Sequence, residues 1–392
     1  MNFEFSQEEE AFRSEVREFV EKEYPPEWRR YGKSLLNFFF EALTDSDDER
    51  NRIMAQKLGA KGWLSLAWPK EYGGRNSPLL QLILAEELTY HECPGFDVFG
   101  VGMIAPTLIR FASEEQKRTH LPGIAQGKTL WCELLSEPEA GSDLASLQTR
   151  AVEKDDHFVV NGQKVWTSAA HHADWGILLA RTDPNVPKHR GLSLFTVNMK
   201  NPGITVNPVM DMSSTHTFNE VFLDDVQIPK ESLVGDKNQG WYVIMGLLDF
   251  ERSCSPIYAV ARRYLEDLLD YARQTKLLDP AIRNRLAELI VECEVGRLMH
   301  YRATWMQEKG SIPNYESAMN KIYTLELNQR VTAAGMQVLG HYAGLMPDSK
   351  WAPWDGCAPL FYLRSIGNTL EMGTSEIDRI IIAQRGLGLP RG

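Results

Sequence analysis

Cysteine is scarce in this sequence, and its five residues are scattered. Cys93, Cys132, Cys254, Cys293 and Cys357 form no C-x-x-C pair and are odd in number. That argues against both a zinc framework and a disulfide scaffold, so a reducing cytoplasm is the expected setting. Long apolar runs are missing too: no segment reaches the about 18 residues that a membrane span requires. Positive charge is in deficit, with 42 Lys and Arg against 53 Asp and Glu and a net charge of −11. No basic run reverses that balance, and no nucleic-acid partner is expected. The opening MNFEFSQEEEAF is acidic and amphipathic. It has neither the apolar centre of a signal peptide nor the arginine-rich character of a transit peptide. There is no internal repeat and no low-complexity tract.

What is present is an ordinary globular composition, 43% hydrophobic over 392 residues, enough for two or three domains with a sizeable core. Ser6 with Glu9 three residues later forms a capping-box pattern, and Phe12, Val16, Phe19 and Val20 follow at helical spacing. Helical stretches continue to about Ala125. From Trp131 to Pro229 the texture changes to short β-branched and aromatic runs such as LSLFTVN and GITVNPV, broken by Gly, Pro and Asn. After Trp241 helix-forming sequence returns, and GLGLP closes the last helix. The reading is an α+β chain: helical over 1–127, β over 128–235 and helical again over 236–392.

The densest chemistry lies between residues 131 and 175. WCELLSEPEAGSD is a polar loop in which Ser136 and Ser142 offer hydroxyls and Gly141 lets backbone N–H groups approach an anion. NGQKVWTSAAHHADW follows. Phe158 to Val160 lead into Asn161-Gly162, the favoured pair of a tight hairpin turn, and Gln163 to Ser168 are expected to return as the second strand. Trp166 and Ser168 then share one face. A flat aromatic beside a hydroxyl can cover and hydrogen-bond a planar ring, or simply pack.

EPEAGSD and NGQKVWTS resemble the two flavin-contacting signatures of the acyl-CoA dehydrogenase family. Similar stretches run nearly end to end: GWLSLAWPKEYGG, FLDDVQIP, LDFER, MQVLG and GTSEIDRIIIAQRGLG. The resemblance implies an N-terminal helical domain, a middle β-barrel or sandwich and a C-terminal four-helix bundle. It implies FAD, held by Leu134, Leu135, Ser136, Gly141, Ser142, Trp166, Ser168, Thr374 and Glu376, with Gln337 and Gly340 serving the flavin of another subunit. It also implies an acyl-CoA substrate touched by Ser142, Asp97, Asp249 and Arg252, an electron-transfer flavoprotein as acceptor, and a tetramer.

Taking the α proton of a thioester needs a carboxylate, and the developing enolate needs donors on the thioester oxygen. In much of this family the base directly precedes Gly-Thr-Ser. Here Met372 stands there and cannot accept a proton, though its backbone N–H can still meet the thioester oxygen. The L-D-x-E-R context of Leu248 to Arg252 resembles the second location of the base, and it points to Glu251. At helical spacing its neighbours Leu247, Leu248, Cys254 and Ser255 include no cation, which favours a raised pKa. Glu371 is the rival, as an alternative base or a pocket-lining group, and Asp97 is a weaker third.

Two departures from the family pattern matter. The R-x-x-F-G stretch whose arginine reaches a neighbouring flavin is missing, with Arg273 as a substitute that cannot be placed. His341 replaces the second glycine after Gly340 and reads as structural. Such departures resemble bacterial members acting on branched, cyclic or otherwise bulky thioesters, some of them mixed tetramers. The alternatives are a non-catalytic or half-site partner chain, and a flavin oxidase or monooxygenase of the same fold.

Overall fold

The computed structural model describes residues 4–25, 28, 45–254, 256–277, 279–311, 313–347 and 349–390, with only the backbone described at 45–47 and 249–254. Among the described residues five α-helices come first: α1 (Gln7–Glu23), α2 (Asp45–Ala60), α3 (Pro78–Tyr90), α4 (Ala105–Phe111) and α5 (Glu114–Ala125). The capping box at α1 is formed, with Ser6 Oγ accepting from Glu9 N at 3.3 Å, and Phe12, Val16, Phe19 and Val20 are buried along one stripe.

Eight strands follow, β1 (Trp131–Leu134), β2 (Arg150–Glu153), β3 (His157–Ser168), β4 (Trp175–Arg181), β5 (Leu192–Asn198), β6 (Ile204–Val209), β7 (Phe218–Pro229) and β8 (Leu233–Val234). They form one sheet in the order β6-β7-β3-β2-β4-β5-β8, with β1 parallel to β4. Alternation along β7 puts Val221, Leu223, Val226 and Ile228 into the sheet's own core with Phe158, Val160 and Phe195.

The remaining long helices are α6 (Gly240–Cys254), α7 (Ile257–Gln274), α8 (Pro280–Glu308), α9 (Tyr315–Leu339), α10 (Cys357–Asn368) and α11 (Ser375–Ile381). Helices α7 to α10 pack on one another, and their core is continuous with that of the first five helices, from Phe12 and Trp63 through Leu247 and Tyr264 to Leu325. A buried polar junction ties the two ends of the chain together. Arg13 on α1 donates to Glu86 of α3 and Tyr301 of α8 at 2.9 and 2.8 Å, and its other terminal nitrogen meets Glu87. Burial pushes the Glu87 carboxyl up, but His91, Arg17 and Arg13 outweigh it and bring it down to about 2.

One expectation is corrected. Asn161-Gly162 does not reverse the chain, because β3 runs unbroken for 12 residues through both. A hairpin would pair the two halves with each other, whereas both pair with β7, and register shifts fall at Val160/Gly162 and Lys164/Thr167. Gly162 is required by close approach: a Cβ there would lie 2.4 Å from Thr149 Oγ1 and 2.7 Å from its Cα. Asn161 is used by β7, exchanging hydrogen bonds of 2.9 Å with Asp225.

Candidate active site

The loop after β1 is held from beneath by a buried ion pair. Lys164, fully buried on β3, donates to Glu137 Oε1 and to the Leu135 carbonyl, both at 2.9 Å, and Glu137 also accepts from the backbone N–H groups of Gln148 and Thr149. Burial brings the Lys164 ammonium down to about 8, with Glu137 opposing. Val165 N donates to the Ser136 carbonyl at 2.9 Å, so loop and strand move as one. Leu134 and Leu135 are buried beneath, while Gly141 and Ser142 stand exposed at the tip. A Cβ at Gly141 would meet nothing within 4 Å, so the fold itself leaves that tip open.

Trp166 lies in the second bulge of β3 with φ 61°, a left-handed backbone uncommon for a bulky residue. The bulge aims the indole outward, 57% exposed, while Thr167 is buried and Ser168 half-buried. Phe218 meets it edge-to-face at 5.6 Å, and the guanidinium of Arg364 lies 5.3 Å from the Phe218 ring centre. An exposed, strained and braced tryptophan next to a serine is the arrangement of a ring-binding wall.

The turn between α10 and α11 supplies the other wall. Met372 is buried with φ 55° and Gly373 follows at φ 85°, after which Thr374 caps α11, its Oγ1 accepting from Ile377 N at 3.3 Å. Glu371 is fastened sideways: Arg364 Nη2 donates to it at 2.9 Å and Asn368 Nδ2 at 2.5 Å. Each of its oxygens therefore accepts one bond that holds the carboxylate toward Arg364 and Asn368. Beside this turn lies a cavity of about 380 Å³ lined by Gln329, Thr369, Ser375 and Glu376 among others. The Ser375 hydroxyl is buried without a partner.

The other anticipated residues are dispersed. Gln337 and Gly340 are exposed at the far end of α9. The Lys321 side chain near the start of that helix touches the 371–374 turn, and 16 residues at 1.5 Å each separate it from Gln337, roughly 24 Å. Gln337 is thus remote from its own chain's turn. His341 is exposed beside it. Arg273 ends α7 on the surface and bonds Asp270 at 3.2 Å. The side chains of Asp249, Glu251 and Arg252 lie outside the described residues, although the backbone of α6 carries them.

Asp97, the third candidate, is engaged by the backbone on both sides. It caps the π-helical turn Val98–Ile104, accepting from Phe99 N at 3.1 Å and from Trp131 N at 3.2 Å, so it joins the first helices to β1. Desolvation of its carboxyl, only partly offset by Gly100, Trp131 and Phe99, pushes it up to about 7.

Models of the acyl-CoA dehydrogenase N-terminal, middle and C-terminal domains match residues 6–128, 132–226 and 238–387. The chain belongs to the acyl-CoA dehydrogenase family. It is accordingly an oxidoreductase acting on acyl-CoA thioesters, in a family that depends on FAD. It is 37% identical to acyl-CoA dehydrogenase IpdE1 of Mycobacterium tuberculosis, covering 88% of this chain and 89% of that protein. With acyl-CoA dehydrogenase FadE26 of the same organism it is 33% identical over 100% and 99% of the two chains. Among solved structures, a steroid acyl-CoA dehydrogenase, Tcur3481-Tcur3483, superposes with TM-score 0.88 at 31% identity over the whole of both chains. The ChsE4-ChsE5 complex of M. tuberculosis gives 0.87 at 31%, again over 100% of each chain. The acyl-CoA dehydrogenase fold is thereby complete here: helical, sheet and helical domains in order.

Residues outside the family signatures proved as informative as those inside. Arg364 is a charged side chain on the helix face that carries Leu360 and Phe361, and such an inward charge is the signal that marks it, whereas Lys321 lies among the buried polar residues Ser317, Asn320 and Thr324 and carries no such signal.

Proposed function

We propose that this chain removes the α and β hydrogens of a branched, cyclic or otherwise bulky acyl-CoA, with Glu251 as base, FAD as hydride acceptor and an electron-transfer flavoprotein as the next acceptor. The observation that carries the assignment of the base is the state of the 371–373 turn. Met372 has no basic group, and Glu371 is held toward Arg364 and Asn368, which supports a proton acceptor on another element. α6 is that element, and Glu251 is its carboxylate in the L-D-x-E-R context.

The residues present fit a flavin. Trp166 stands exposed on its bulge, Gly141 and Ser142 form an open tip, and the buried Ser375 hydroxyl lacks a partner at the edge of a cavity. Leu134, Leu135, Ser136, Ser168, Thr374 and Glu376 complete that set, with Gln337 and Gly340 offered to a neighbouring subunit. FAD, when bound, takes up the β hydride. The chain's own part is to bind and polarise the thioester: the Met372 N–H donates to the carbonyl oxygen, which acidifies the α carbon, and Glu251 receives its proton as the C–H bond breaks. The product is the 2-enoyl thioester. Asp249 and Arg252 on the same helix, with Ser142, are assigned to the CoA portion.

The bulky acyl group is supported by relatives named for steroid thioesters, and an assembly of four chains by the remoteness of Gln337 from its own chain's site. Similarity to the ChsE4-ChsE5 complex favours one second reading, in which this chain is one half of a mixed tetramer. Purification of the chain alone, a flavin spectrum, and anaerobic bleaching with straight, branched, cyclic and aromatic acyl-CoAs test all of this. A yellow protein bleached by bulky thioesters is expected. A colourless protein that gains flavin only with a second chain would establish the mixed tetramer instead.

A further inference from the structure

Inside the molecule, behind the turn that carries Met372, lies an ion pair that the reaction as described does not use. Lys321 of α9 is 1% exposed and Asp378 of α11 is fully buried, and Lys321 Nζ lies 3.1 Å from Asp378 Oδ2. The same ammonium donates to the Gly373 carbonyl. A buried pair of this kind gains little stability over apolar residues of the same volume, so its contribution is better sought in what it holds in place. It holds a strained segment. Met372 at φ 55° is strained relative to ordinary backbone, and a flip of the neighbouring peptide would relieve it while swinging the amide away. On one side of Met372 the turn is fixed through Glu371 by Arg364 and Asn368, and on the other through the Gly373 carbonyl by Lys321.

We infer that the Lys321–Asp378 pair is a positioning device that locks the Gly373 carbonyl and thereby aims the Met372 N–H at the substrate's thioester oxygen. This rests on the proposed role of that N–H. Asp378 neutralises the ammonium so that it can remain buried, and the ammonium reaches the turn at the Gly373 carbonyl. Neither residue meets substrate, so neither is catalytic in itself.

The test uses the full-length, flavin-loaded protein and a double variant, Lys321→Met with Asp378→Leu, in which the buried pair becomes apolar at similar volume. Two readouts separate aim from folding. One is the carbonyl stretch of a bound 2-enoyl-CoA labelled with ¹³C at the thioester carbon, which reports hydrogen bonding to that oxygen without turnover. The other is the anaerobic flavin-reduction rate at saturating substrate. Displacing a reacting group by about 1 Å can cost roughly a hundredfold in rate, so the double variant should melt near the wild type, retain flavin, lose most of the carbonyl shift and reduce flavin 10–100-fold more slowly. Wild-type carbonyl shift and rate in a folded double variant would overturn the inference. If that variant does not fold, Lys321→Gln, which keeps a shorter neutral donor, answers by the same readouts with an intermediate shift expected. A wild-type protein that neither binds the enoyl thioester nor is reduced would instead refute the proposed reaction, which is a separate outcome.

Discussion

Arg364 Nη2 donates to Glu371 Oε2 at 2.9 Å, with only 3% and 15% of the two side chains exposed. Asn368 occupies the other carboxylate oxygen. The carboxylate nearest in sequence to the family's lost base is thus held by two residues of the preceding helix. Its guanidinium partner also faces the Phe218 ring that braces Trp166, so the two walls of the site share one cation.

Glu371→Gln should consequently act on stability more than on chemistry. The amide leaves Arg364 without its near anion, since Asp211 is 3.9 Å away. Losing a charge-assisted bond of this sort costs about 1–3 kcal/mol. A lower denaturation midpoint with flavin reduction within about tenfold of wild type is expected. Abolished reduction in a protein of unchanged stability would give Glu371 the catalytic role.

Gly162→Ala tests the close approach of β3 to Thr149. In the unbroken strand the new methyl lies 2.4 Å from Thr149 Oγ1 and meets backbone as well, so rearrangement costing about 1–3 kcal/mol is expected in denaturant unfolding. A neutral or stabilising effect would contradict this packing.

His171 provides a pH dependence. Burial, then the neighbouring His172 and His216, push its imidazole down to about 3, and Asn219 Nδ2 donates to its Nδ1 at 3.0 Å, which suits the neutral ring. The folded pKa lies below the unfolded one of about 6.5. The native state therefore binds fewer protons than the unfolded state between these values, and the stability present above pH 6.5 is lost as pH falls toward 3. His171→Gln should flatten the acid limb of the denaturation midpoint between pH 6.5 and 4, while His120 and Glu87, also depressed to about 4 and 2, keep part of the slope. An acid limb identical to wild type would exclude this contribution.

The three-part architecture was legible because the texture switches cleanly: helical spacing at Phe12 to Val20, short β-branched and aromatic runs such as LSLFTVN between Trp131 and Pro229, helix-forming sequence again beyond Trp241. The capping box at Ser6 and Glu9 depends only on local geometry and could be read directly. The hairpin could not, since an Asn-Gly pair favours a turn only when its flanking strands pair with each other, and here β7 claims both halves. Asp97 is a similar case. Its role is set by Trp131, 34 residues away, and no spacing within the sequence reveals that bond. The clamp made by Lys321 is likewise tertiary, since its partner at Gly373 lies 52 residues away.

The central claim is that Glu251 takes the α proton, and anaerobic stopped-flow observation of the flavin band in Glu251→Gln tests it most directly. Gln keeps the volume and cannot accept a proton, and general-base catalysis is worth about 10²–10⁴ in rate. The account predicts a folded, flavin-containing protein that still binds acyl-CoA and reduces its flavin at least a hundredfold more slowly, with part of the rate restored in Glu251→Asp. Reduction within tenfold of wild type in Glu251→Gln would contradict it.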